Sequence, residues 1–204
     1  MTIMSDFSNT PMIELAAIVA EHLDSQGIKV VLVGGLAVEV YTENLYLTQD
    51  IDMVNTNHQP ISHLNQAMSE LGFTKQGRVY VNPTTPVVVE FPTAPLSVGD
   101  ELIQTTTCTR IGHRDLPILM VDDVIKDRLA AFIHWKDNAS LVQAMAILLK
   151  HQLLPERFRG FCLHEGSEKH YELLSEFHTC ASNEELSTMD KLETMLTQIL
   201  VARL

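Results

Sequence analysis

The chain has 204 residues, 46% of them hydrophobic and 20% charged, with a formal net charge of −12. That composition reads as globular rather than disordered, and so acidic a surface disfavours long, salt-driven contact with a nucleic-acid backbone, though not a short approach to an RNA end. No apolar run approaches bilayer-spanning length, no basic leader precedes Lys29, and the odd, scattered Cys108, Cys162 and Cys180 fit neither zinc spacing nor a disulfide framework. The expectation is a cytoplasmic protein with reduced thiols and no membrane partner.

Thr10-Pro11 predicts the start of a first helix, with Thr10 as its N-cap and Pro11 in the first turn. Apolar residues recur at helical period from Ile13 to Leu23, and Gly27 ends the helix. Lys29 to Val33 is a β-branched run that predicts a buried strand. Leu36–Tyr41 predicts a short helix packing Leu36, Val40 and Tyr41 inward, and Ile51–Val54 the next strand. Residues 60–71 predict a helix opened by Pro60, and Phe73–Lys75 with Val79–Val81 a hairpin around Gln76-Gly77. Pro86–Phe91 is a Val-rich strand, and 103–120 supplies one or two more, Leu116–Met120 being the clearest.

Strand signals stop after Val121. Asp122-Asp123 head a helix to about Trp135, where their charge suits the dipole. Further helices are expected over Ala139–Gln152, over Glu168–His178, and from Ser182 to the C-terminus with Glu185 completing a capping box. The fold class is therefore α/β (α+β): a mixed-sheet core over residues 1–120, then a helical region over 121–204 packed on it. Trp135 and Tyr41 are expected to fill the core.

Residues 30–54, VVLVGGLAVEVYTENLYLTQDIDMV, hold the chemistry. Strand side chains alternate, so Asp50 and Asp52 share a face, with Cα atoms ~7 Å apart. Two carboxylates ~4 Å apart repel by about 4 kcal/mol at an effective dielectric near 20. A divalent cation relieves that, and hard oxygen donors without Cys or paired His point to Mg²⁺ or Mn²⁺. Glu90, closing the run Val87-Val88-Val89, is the candidate third acid and proton acceptor. Gly34-Gly35 lies between strand and helix, where backbone approaches a ligand closely and helix amides point outward, a geometry suited to a triphosphate. Phosphatases that form an aspartyl-phosphate also carry Asp-x-Asp, but there an apolar strand precedes the acids; here Met53-Val54 follow them.

Gly34-Gly35, Thr48-x-Asp50-Ile51-Asp52 and a strand acid at Glu90 resemble the nucleotidyltransferase superfamily of the DNA polymerase β type. The match is closer to the small bacterial members, similar to the AbiE-type toxins and related antitoxin-like nucleotidyltransferases. The resemblance spans residues 28–150. It implies that Asp50, Asp52 and Glu90 bind Mg²⁺ and that Gly34, Gly35 and Thr48 hold an NTP such as ATP. Relatives often carry Arg two residues before the Thr; Tyr46 stands there, and Lys126 and Lys136 are the candidate compensating cations. Two functions follow. One is a metal-dependent transfer of a nucleoside monophosphate from an NTP to a hydroxyl of a tRNA end, a protein or a small molecule, in a resistance or toxin–antitoxin setting. The other is a catalytically silent nucleotidyltransferase-fold binding protein, antitoxin-like or regulatory, with a cognate partner.

Overall fold

The computed structural model describes residues 6–183 and 188–203. They form a mixed α+β fold: a seven-stranded sheet, a two-stranded sheet and eight α-helices in the order α1 (Met12–Ser25), β1 (Val30–Val33), α2 (Gly34–Tyr41), β2 (Asp50–Asn55), α3 (Ile61–Glu70), β3 (Thr74–Gln76), β4 (Val79–Asn82), β5 (Thr85–Glu90), β6 (Ser97–Val98), β7 (Glu101–Leu102), β8 (Thr107–Ile111), β9 (Arg114–Ile118), α4 (Val121–Trp135), α5 (Asn138–Lys150), α6 (Arg159–Glu165), α7 (Glu168–Ser182) and α8 (Met189–Ala202). Among the described residues no helix is long and apolar enough to cross a membrane. The chain divides into two compact units. The first holds residues 1–37, 47–97 and 102–120; the second holds 38–46, 98–101 and 121–204.

The first unit is built on the sheet β3-β4-β5-β2-β1-β9-β8. β1 runs antiparallel to β2 and parallel to β9, while β2 and β5 are parallel. The central strand β1 buries Val30, Val31 and Leu32, as the β-branched run requires. α1 packs on β1, β2, β8 and β9 and touches α3. It presents Leu15, Ala16, Val19, Ala20 and Leu23, all buried. The small alanines let the helix sit close, and each fully buried Leu contributes roughly 1.5–3 kcal/mol. The N-cap of α1 is Pro11, one residue later than expected, and no side chain caps it; Thr10 lies outside the helix.

The second unit centres on α5, whose residues Ser140–Leu148 are all buried. A helix apolar on every side must be covered on every side, and α4, α7 and α8 cover it. Asp137 caps α5 through its side chain, accepting from the Ala139 amide at 3.1 Å.

Several expectations are corrected here. Residues 155–165 form a 3₁₀ turn (Pro155–Phe158) and α6, which the sequence did not announce. Gly160 lowers local helix propensity, but burial of Phe158, Phe161 and Cys162 overrides it. Ser182 ends α7 and does not cap the last helix. α8 starts at Met189, capped by Thr188, whose hydroxyl accepts from the Lys191 amide at 3.3 Å; Glu185 lies outside the described residues. Trp135 does not fill the core. It is 82% exposed at the end of α4, where Lys136 turns the chain with φ +54°. Val40 and Tyr41 are half-buried. Burial, then a nearby Asp123 carboxylate, pushes the Tyr41 phenol up to about 12.

Candidate active site

Two neighbouring strands, β2 and β5, bring the predicted acids together in the first unit. Asp50 and Asp52 open β2, and strand alternation buries Ile51 and Met53 on the opposite face. Asp52 is the register partner of Val33 on one side and of Glu90 on the other. Register partners on adjacent strands lie about 4.8 Å apart, so Asp52 and Glu90 are immediate cross-strand neighbours. Asp50 lies opposite Val88. All three acids are half-buried.

The glycine pair is not a loop before the helix; it is the first turn of α2. Gly34 has φ +65°, and a Cβ built there would overlap Oδ2 of Asp52 and lie 3.1 Å from its Cβ and Cγ. A Cβ on Gly35 would lie 2.6 Å from Oγ1 of Thr48. The first turn of α2 therefore presses directly on the acid-bearing strand, which only glycine allows. Thr48 in turn donates its hydroxyl to Oδ1 of Asp50 at 2.7 Å, fixing that carboxylate's orientation. Gly34, Gly35, Thr48, Asp50, Asp52 and Glu90 are thus one constellation within one unit.

Gly34→Ala is expected to destabilise the protein by more than Gly27→Ala. An L-residue in left-handed backbone costs roughly 1–2 kcal/mol. Gly27, at φ +74° with nothing within 4 Å of a built Cβ, carries that cost alone. Gly34 adds the collision with Asp52. Denaturant unfolding of the two variants measures the difference; equal losses would show that Asp52 does not press on the glycine.

Sequence reasoning missed Arg78. Its guanidinium holds Oε1 of Glu90 through Nε at 3.1 Å and Nη2 at 2.9 Å. Arg78 is 88% exposed and Glu90 25%. The hairpin carried the signal: β4 pairs Val79 with Glu90, so the residue before Val79 falls beside that acid. Tyr46 is half-buried, and its amide donates to Oγ1 of Thr42 at 3.2 Å.

Lys126 and Lys136 belong to the second unit. Lys126 pairs with Glu101 at 2.5 Å and lies over the Phe161 ring. Lys136 is exposed, in the turn between α4 and α5 and not on a helix surface.

The donor type suits Mg²⁺ or Mn²⁺, although Asp50, Asp52 and Glu90 do not bring three oxygens within 4.8 Å of one another and Arg78 holds Glu90. Every candidate ligand is a carboxylate oxygen, and the cleared space at Gly34 keeps room for the Asp52 carboxylate beside the helix terminus.

Two solved structures of ANT(2'')-Ia are similar to this chain. One is a crystal structure in complex with adenylyl-2''-tobramycin, 16% identical, covering 82% of this chain and 97% of that one, with a TM-score of 0.43. The other is a solution structure of the same antibiotic-resistance factor, 15% identical, covering 84% and 94%, also with a TM-score of 0.43. No curated protein matches the chain in sequence. Residues 13–82, which hold the glycine pair, Thr48 and both aspartates, match the family "Nucleotidyl transferase of unknown function (DUF2204)". That match supports placing this part of the chain with the nucleotidyltransferases.

Proposed function

We propose that the chain moves a nucleoside monophosphate group from an NTP to a hydroxyl acceptor. One observation carries the reading: Asp52 is flanked by Glu90 on one strand and by a glycine-opened helix on the other side. Acid strand and phosphate-binding turn are what phosphoryl-group transfer needs in one place.

Asp50, Asp52 and Glu90 would hold Mg²⁺ or Mn²⁺, which supplies charge neutralisation at the phosphates when bound. The chain's own groups have separate tasks. The amides at the start of α2 bind the triphosphate. Thr48 keeps Asp50 in orientation. Glu90 takes the proton of the acceptor hydroxyl as that oxygen bonds to the α-phosphorus. The bond from the α-phosphorus to the bridging oxygen breaks, and pyrophosphate leaves with the electron pair.

The acceptor is a tRNA end, a protein side chain or a small molecule. The formal charge of −12 favours a cationic one, such as a basic patch or an aminoglycoside-like polyamine. Tyr46 and the Arg78–Glu90 pair favour the second reading, a binding protein without turnover that serves a cognate toxin or antitoxin. Incubation with α-labelled NTP, Mg²⁺ and each acceptor class separates the two. Metal-dependent release of pyrophosphate with label on the acceptor is expected. NTP binding without release, across all three classes, would favour the silent protein.

A further inference from the structure

A group of side chains of metal-ligating type lies in the second unit, away from any role in the reaction above. Its centre is Glu165, the last residue of α6, whose side chain is only 3% exposed. An enclosed carboxylate needs hydrogen-bond donors, and Glu165 has them. The Asp100 amide donates to Oε1 at 3.0 Å, and Nε2 of His134 lies 2.7 Å from Oε2. Gly99 makes the enclosure. It has φ +54°, and a Cβ there would lie 2.5 Å from Cδ of Glu165, so the turn between β6 and β7 is moulded on this carboxylate.

Asp100 and His164 stand beside it at the surface. One ligand atom from each of Asp100, His164 and Glu165 lies within 4.8 Å of the others. Two carboxylates at that spacing repel, and one imidazole nitrogen completes three donors.

We propose that Asp100, His164 and Glu165 bind a divalent transition-metal ion of the zinc type, with His134 as the positioning residue behind Glu165. Mixed imidazole and carboxylate donors suit zinc and not magnesium, which takes oxygen alone. Carboxylates that ligate a metal are themselves hydrogen-bonded from outside the centre, which is the place of His134 on Glu165. Nearby Cys162 is no ligand: its side chain is buried in the core and its sulfur is not among the clustered donors. The site differs from the magnesium site in residues, unit and donor chemistry.

Zinc titration of the full chain in excess Mg²⁺ tests this by calorimetry. One zinc per chain is expected, with affinity falling at least about tenfold in His164→Ala and Asp100→Asn, and by about 10–100-fold in His134→Gln. Neither His164 nor Asp100 takes part in nucleotide binding, so metal-dependent NTP binding should be unchanged. A second measurement needs no variant: zinc should protect His164 from carbethoxylation in the native chain. No saturable zinc binding, equal affinity in His164→Ala and Asp100→Asn, or equal His164 modification with and without zinc would overturn the site.

Discussion

Asp52→Asn is expected to lower nucleotidyl transfer by at least about 10²–10³-fold, roughly 2.7–4 kcal/mol of barrier, while the metal-free fold stays as stable or becomes more so. The swap keeps the shape of the side chain and removes one charge. Asp52 sits directly across from Glu90 and two residues from Asp50 on the same face. Like charges opposite one another on neighbouring strands repel, so losing one relieves the metal-free protein. The same loss removes the carboxylate that lies against the first turn of α2. Thermal unfolding and single-turnover rates check the two halves separately. A variant that unfolds would make Asp52 a structural residue and end its assignment to the site.

Glu90→Gln should separate binding from chemistry. The two aspartates and the triphosphate still hold the metal, so metal-dependent NTP binding persists. Loss of the proton acceptor then lowers turnover by about 10²–10⁴-fold, roughly 3–5 kcal/mol. The variant also breaks the pair with Arg78. That arginine is 88% exposed, so the pair contributes no more than about 1 kcal/mol to stability. A role confined to guarding the strand would leave the rate unchanged. Single-turnover rates at saturating NTP decide, and a wild-type rate would remove Glu90 from the site.

The acid strand was legible because its signal is local. Asp50-Ile51-Asp52 alternates, and alternation fixes faces before any partner strand is known. Glu90 could be nominated as a charge ending a valine run, but its place opposite Asp52 depends on parallel pairing of β2 with β5, which no short-range pattern specifies. The glycine pair was found for its closeness to a ligand. The structure adds a reason internal to the protein, since Asp52 and Thr48 occupy the space that side chains would need. Arg78 was invisible because its significance depends on hairpin register. Periodicity placed α4 and α5 well, since their inward faces recur over several turns. It failed for α6, a seven-residue helix with a glycine inside it. It also failed for Trp135, whose size suggested burial but whose place at a helix terminus left it in solvent.

The central claim is that the acids of β2 and the first turn of α2 form one nucleotide site that needs a metal. Calorimetric titration of the full chain with NTP, in the presence and absence of Mg²⁺, tests it most directly. The predicted result is weak binding of either component alone and clearly tighter NTP binding with Mg²⁺, since magnesium uses one or two protein carboxylates together with substrate phosphates. Equal NTP affinity with and without the metal would contradict the account.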